Sequence, residues 1–344
     1  MSIKINTLNL DDETRWDVYL DRSSASFYHN SHWRHLIKDV FGHDSHYLYA
    51  TDDKSQVTGI LPLVRLKSLL FGDFLISMPY FNYGGALADS IEIERCLIEE
   101  AYNLRIALGC SHVELRETED RNNEFPVKTD KVTMLLDLPG EPEELWKAIG
   151  AKRRAQVKRP IREGAEFFIG GKELLDDFYT VFSINMRDLG TPVYSKLFFK
   201  SMLEYFPEHT SIAVVRLNGN PVGTGFLVGY KGKMEIPWAS TLRKYNKFGV
   251  NMFLYWNILK TAIEKEYRVF DFGRSSKGAG TLKFKKQWGA VQKQLYWNYL
   301  LPKGEFLPEL NPNNPKYSFA INVWQRLPLS VTKLLGPAIV KSLP

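Results

Sequence analysis

Between Ile91 and Leu108, apolar residues recur with helical spacing: Ile91, Leu97, Ile98, Ala101, Leu104 and Ile106 form one broad stripe. That period predicts an amphipathic helix. It runs into a short apolar stretch, His112–Leu115, that reads as a strand. The same order returns later. Leu254, Ile258, Leu259 and Ala262 mark one side of a helix over Asn251–Lys265, followed by a strand over Val269–Phe272. A hairpin pattern precedes each helix, at residues 46–64 (HYLYATDDKSQVTGILPLV) and 211–229 (SIAVVRLNGNPVGTGFLVG). Asp52-Asp53 and Asn218-Gly219-Asn220 supply turn residues that tolerate positive φ. The matching points lie about 155 to 165 residues apart. Two duplicated α/β units explain this order better than one long unit. Chance recurrence of common βα patterns is the competing explanation.

Further helices open the two halves. One covers Ser31–Val40, with Trp33, Leu36, Ile37 and Val40 at helical spacing. The second half has two, Leu174–Leu189 and Ser195–Tyr205. Between the halves, Glu141–Ile149 begins as a helix with acidic residues at its positive end. Arg154, Lys158 and Arg162 then recur every four residues, one face of a continuous helix. Pro160 predicts that this helix ends near Lys158 or kinks. After Leu300 the chain is Pro-rich, an expected exit loop. The final stretch Ser318–Leu343 is amphipathic, with Trp324, Leu327, Leu334 and Leu335, and suits packing on the body or contact with a membrane surface.

The expected organisation is a first domain over 1–150, a basic linker over 151–165, a second domain over 166–305 holding the active site, and a C-terminal segment over 306–344. The length of 344 residues fits about two domains. With 44% hydrophobic and 24% charged residues the chain is an ordinary globular one, which excludes disorder. Two cysteines, Cys96 and Cys110, cannot build a disulfide framework or a cysteine zinc site, and point to a reducing compartment. The amino terminus has no apolar core of a signal peptide, and no apolar run reaches membrane-spanning length. A cytoplasmic location is therefore expected, with peripheral membrane contact through the C-terminal segment.

Charge is concentrated in two places. Residues 150–164 hold six Lys/Arg against one Glu, and residues 267–289 hold six against one Asp. Such clusters suit phosphates or nucleic acid, or simply form solvated faces. Phosphate-loop, dinucleotide-binding, nucleophile-elbow and zinc-protease motifs are absent. His29, His32 and His35 are spaced by three, as are His43 and His46, but no clustered acid completes a metal site, so no metal is expected. The strongest site signal is the run Asp271-Phe272-Gly273-Arg274 to Gly289 (DFGRSSKGAGTLKFKKQWG). A strand ends there in a Gly-rich loop, where backbone N–H groups can approach an anion. Arg274, Lys283, Lys285 and Lys286 can neutralise phosphate or a developing oxyanion. A basic hairpin with core aromatics is the structural alternative. Asp271 either orients a base or pairs with Arg274. Arg187, in Arg-Asp-Leu-Gly-Thr-Pro-Val-Tyr194, suits bidentate capture of an anion, or helix capping. Two strand ends, Trp238-Ala239-Ser240 and Phe81-Asn82-Tyr83-Gly84-Gly85, occupy corresponding places in the two units.

Four stretches together resemble the FemAB-like proteins of the GNAT acyltransferase superfamily: LWKAIGAKRRAQVKRPIREGAEF, MRDLGTPVYSKLFF, PVGTGFLVGYKGKMEIPWAS and VFDFGRSSKGAGTLKFKKQWGA. The pattern is most similar to members associated with exopolysaccharide and PEP-CTERM loci, over roughly residues 20–300. The resemblance implies an α/β fold of two tandem GNAT-like (acyl-CoA N-acyltransferase-like) domains, with mixed sheets flanked by helices. It implies transfer of an acyl or aminoacyl group to an amine on an exopolysaccharide or peptidoglycan precursor. It implies no tightly bound cofactor, with acyl-CoA or aminoacyl-tRNA as donor. Lys285 matches a lysine of the family's active-site channel, and Asp271 is the candidate base. Arg187, Tyr194, Trp238, Ser240, Arg274, Lys283 and Lys286 become substrate contacts, and Arg153, Arg154 and Lys158 contacts to an anion or tRNA. The resemblance departs where GNAT enzymes place a Gly-rich pyrophosphate loop: here RKYNKFGVN holds one glycine. A non-catalytic GNAT pair that binds an anionic glycan or lipid-linked precursor is the alternative function.

Overall fold

The computed structural model describes residues 3–69, 71–121, 125–278, 280–307 and 315–343. Part of the expected exit loop, residues 308–314, and Ala279 of the Gly-rich loop lie outside the described residues. The chain forms mixed α/β sheets with helices against them.

The predicted elements form close to where the pattern put them. The helices span Trp33–Phe41, Ile91–Leu108, Leu175–Leu189, Lys196–Tyr205 and Val250–Glu264. Local chemistry sets their ends. Ser90 and Ser195 accept hydrogen bonds from the N–H groups of Ile93 and Phe198, satisfying donors that a helix start leaves open. Gly42, Gly109 and Gly190 end three helices in the left-handed conformation. Both hairpins form, Leu48–Thr51 with Val57–Leu61 and Thr210–Leu217 with Asn220–Tyr230. Asn218 and Gly219 take φ of 51° and 76°, as a tight hairpin turn requires.

Two compact units result, each discontinuous in sequence: Met1–Val132 with Gln294–Glu309 and Ser342–Pro344, and Thr133–Lys293 with Leu310–Lys341. The discontinuity comes from an exchange of strands. In the first unit Val113–Glu117 runs parallel to Gly72–Ile76 and antiparallel to Tyr296–Leu300, with Leu115 opposite Asn298. In the second, Val269–Asp271 runs parallel to Lys233–Thr241 and antiparallel to Lys131–Asp137, with Leu135 opposite Asp271. The last strand of each half thus completes the sheet of the other.

The segment 151–165, expected as a linker, is part of the second unit. Gly150–Arg162 is a helix that buries Val157 and Pro160 and packs on Val250–Glu264, and Ala165 opens a strand. Pro160 does not end it. A proline at 160 removes the N–H that would bond the carbonyl of Gln156. That carbonyl faces Gly249, where an added Cβ would stand 2.8 Å from it. Gly249 also has φ of +84°. Gly249→Ala is therefore expected to cost about 2 kcal/mol, read as a lowered chemical-denaturation midpoint.

The strand end Phe81–Gly85 is closed rather than open. All five residues are buried, and the Gly84 and Gly85 N–H groups donate to the carbonyl of Arg116. The Arg116 guanidinium, 1% exposed, donates to Glu114 at 2.8 Å and lies 4.3 Å from the Trp297 ring centre. The histidines have separate local partners: His29 with Ser26 and Gly85, His35 with Glu13, and His43 with Tyr80. Among the described residues, no three His, Cys, Asp or Glu side chains group as a metal site would need. Cys110 is buried, with its thiol 3.4 Å from Asp73, and burial pushes that thiol up to about 11. Cys96 is half-buried, and both cysteines are free.

Candidate active site

The second unit builds its site around the end of strand Val269–Asp271. Phe270 and Phe272 lie 4.8 Å apart, and Phe272 stacks on Tyr255 of helix Val250–Glu264. Strand alternation sends Asp271 to the other face. Asp271 is fully buried. Its Oδ1 accepts from the Thr133 hydroxyl at 2.5 Å and from the Gly273 N–H at 2.8 Å, and its Oδ2 pairs with the Lys233 ammonium at 2.7 Å. This carboxylate therefore fixes the turn that leaves the strand, with Gly273 at φ of +71°.

The lysine-rich run after the turn is a short helix, Gly280–Lys286, rather than a hairpin. One of its lysines points inward. Lys285 is 7% exposed, and its ammonium donates to the carbonyls of Gly273 at 2.7 Å and Arg274 at 3.0 Å. Burial lowers the Lys285 amine to about 8; the charges of Asp271 and Glu235 oppose that shift and Arg274 adds to it. Lys283, Lys286 and Arg274 remain exposed around it.

Glu235 escaped the sequence reading. It is buried, stands opposite Asp271 in the parallel register, and acts on Lys285 through its charge. Its signal was a lone acid between Met234 and Ile236 in a strand otherwise apolar at that depth. Lys233 and Thr133 were likewise missed, because nothing local announces that they meet Asp271.

Farther along strand Lys233–Thr241, Trp238 and Ser240 share one face. The Trp238 ring lies 5.8 Å from that of Tyr194, beside Phe198 and Phe199. Ser240 is buried and accepts from the Asn185 amide at 3.0 Å. Arg187 sits in the last turn of helix Leu175–Leu189. Its guanidinium gives two hydrogen bonds to one oxygen of the adjacent Asp188, at 2.7 and 3.0 Å. Arg153 and Arg154 spend hydrogen bonds on the carbonyls of Ile149, Trp146 and Lys147, and Lys158 lies over the Trp146 ring at 5.8 Å. The two arginines thus serve the end of helix Pro142–Ala148, and Lys158 covers its Trp146.

A cleft of about 360 Å³ opens at the start of helix Val250–Glu264. Arg159 and Lys247 bring positive charge to it, and Gln156, Asn246, Asn251 and Gln287 bring hydrogen-bonding side chains. The helix start adds unsatisfied N–H groups and the positive end of its dipole. The segment with a single glycine, Arg243–Phe248, is a 3₁₀ turn, and Gly249 makes the bend into the helix.

Residues 151–286 match the family model for the acetyltransferase (GNAT) domain. In fold the chain is similar to the crystal structure of FemX (TM-score 0.67, 12% identity, 86% of this chain and 96% of that one). It is also similar to L-PGS from Bacillus licheniformis (0.55, 14%, 96% and 98%). A third likeness is to a tandem GNAT protein from the clavulanic acid biosynthesis pathway (0.54, 10%, 89% and 100%). No curated protein matches the chain in sequence.

Proposed function

From a chain that carries a GNAT acetyltransferase domain over residues 151–286, we propose an N-acyltransferase that moves an acyl or aminoacyl group onto an amine of a cell-envelope precursor, of exopolysaccharide or peptidoglycan type. The observation that carries this reading is Lys285. It is a buried ammonium held at a strand end by the Gly273 and Arg274 carbonyls, inside the matched domain. An ammonium has three donors, and these carbonyls take two. The third serves an oxyanion.

The donor in this reading is an acyl thioester. The acceptor nitrogen attacks the thioester carbonyl, the C–N bond forms, and negative charge collects on the carbonyl oxygen, where Lys285 opposes it. Collapse breaks the C–S bond, and the thiolate leaves as a thiol by taking up the proton that the nitrogen gives to the carboxylate. The attacking nitrogen loses its proton to a carboxylate. Glu235 and Asp271 are the candidates. Asp271 spends both oxygens on Thr133, Gly273 and Lys233 and so also positions the turn; Glu235 is buried opposite it in the parallel register and acts on Lys285 through its charge. The cleft with Arg159 and Lys247 suits the diphosphate of a coenzyme A thioester. The acceptor lies by Trp238, Tyr194 and Ser240. The four stretches that resemble FemAB-like proteins support an envelope acceptor.

Calorimetric titration with acetyl-CoA and longer acyl-CoA tests the donor. Saturable micromolar binding is expected, with Arg159→Ala and Lys247→Ala each weakening it by about tenfold. Binding of charged tRNA with no response to acyl-CoA would replace the donor and leave the acceptor chemistry standing. Absence of both, and of turnover, would favour the non-catalytic glycan- or lipid-binding pair.

A further inference from the structure

The two C-terminal helices, Pro315–Arg326 and Leu329–Val340, pack on helix Leu175–Leu189 with only part of their surface. Ile321 closes on Gly190, Gln325 donates to the carbonyl of Asp188 at 3.2 Å, and Gly336 lies against the backbone of Val193. Large apolar side chains remain outside, among polar ones such as Asn322 and Ser330. Phe319 is 72% exposed and Leu334 77%, and Val323 and Leu335 are exposed with them. Leu189, beside Gly190, is exposed too. Isolated exposed leucines need no explanation, but a short helical pair that turns out this many of its large apolar side chains does.

Charge says what kind of surface would cover them. Residues 315–344 contain Lys316, Arg326, Lys333 and Lys341 and no Asp or Glu. Arg326 is exposed next to the apolar positions. A protein partner's apolar groove would not select for such one-sided charge. An anionic bilayer would, because apolar side chains enter the acyl boundary while lysine and arginine stay at the headgroups. Among the described residues, no helix is long and apolar enough to cross a membrane. We propose that this helical pair docks the protein on the surface of a membrane rich in anionic lipid. This does not depend on the acyl-transfer reading.

The test is co-sedimentation of the full chain with vesicles of phosphatidylcholine, alone or with about one third phosphatidylglycerol. Binding is expected with the anionic vesicles, about tenfold weaker with the neutral ones, and weakened by salt near 0.5 M. The double variant Phe319→Ser/Leu334→Ser, folded by circular dichroism, is expected to lose binding by more than about tenfold. Arg326→Glu is expected to weaken it at low salt and to change little at high salt. No binding to anionic vesicles, equal binding to neutral ones, or binding indifferent to the double variant each overturns the proposal. So does a dimer that the double variant abolishes while vesicles stay unbound, since a second copy then covers this face.

Discussion

Lys285→Ala is expected to lower kcat/KM by about two to three orders of magnitude, with the fold kept. The effect is large because the ammonium is buried. Lys285 is buried, and removing its ammonium takes away both the charge opposing an oxyanion and the clamp on the Gly273 and Arg274 carbonyls. Lys285→Arg separates the two roles through pH. With the native lysine titrating at about 8, kcat/KM is expected to fall as pH rises through that value. Arginine keeps its charge there, so its residual activity should show no such break. An unchanged rate in Lys285→Ala removes this residue from the chemistry, and with it the main support for catalysis.

The same residue has a signature in stability. Its amine gives up a proton at about 8 in the folded chain, against 10.5 when solvated. Below about 8 both states are protonated, and the folded state carries the full cost of a buried charge. Between those values the unfolded chain binds more protons, so this group's contribution to stability rises with pH. Lys285→Met should flatten that part of the curve of denaturation midpoint against pH.

Asp271→Ala is expected to give the largest loss of stability, about 3 kcal/mol or roughly 10 °C in Tm. The carboxylate is fully buried, and its removal strands the Thr133 hydroxyl and the Gly273 N–H and takes one partner from Lys233. Asp271→Asn keeps the shape and one acceptor, so it should lose less. Activity separates positioning from base catalysis. If Asp271 positions the turn, the Asn variant keeps measurable turnover with the pH profile of the native protein. If it is the base, the variant's low-pH limb disappears.

Much of the architecture was readable from periodicity. Helix Ile91–Leu108 and the hairpin around Asn218-Gly219 needed only a stripe and a turn, because both are stabilised by neighbours in sequence. The Gly- and Lys-rich run after a strand stood out as a site, and the resemblance to FemAB-like proteins singled out Lys285 within it. Burial within that run was not readable: Lys283, Lys285 and Lys286 look alike in sequence, and the helix Gly280–Lys286 turns one of them inward. The basic stretch at 151–165 read as a linker for a related reason. Its cations are polar by composition, but Val157 and Pro160 bury one side, and the missing N–H of Pro160 is tolerated where Gly249 leaves room for the Gln156 carbonyl.

Local spacing and residue type account for the individual elements, the repeated order of strand and helix, and the residue types available at the strand end. Tertiary structure alone decided which strands complete which sheet, because pairing of Leu135 with Asp271 joins residues more than a hundred positions apart and leaves no periodic trace. That pairing brings Thr133 to Asp271, while the neighbouring strand brings Glu235 and Lys233. The carboxylates that oppose the burial-driven lowering of the Lys285 amine are therefore placed by long-range strand order. Periodicity reports which side of an element is buried; it carries no information on what that side meets.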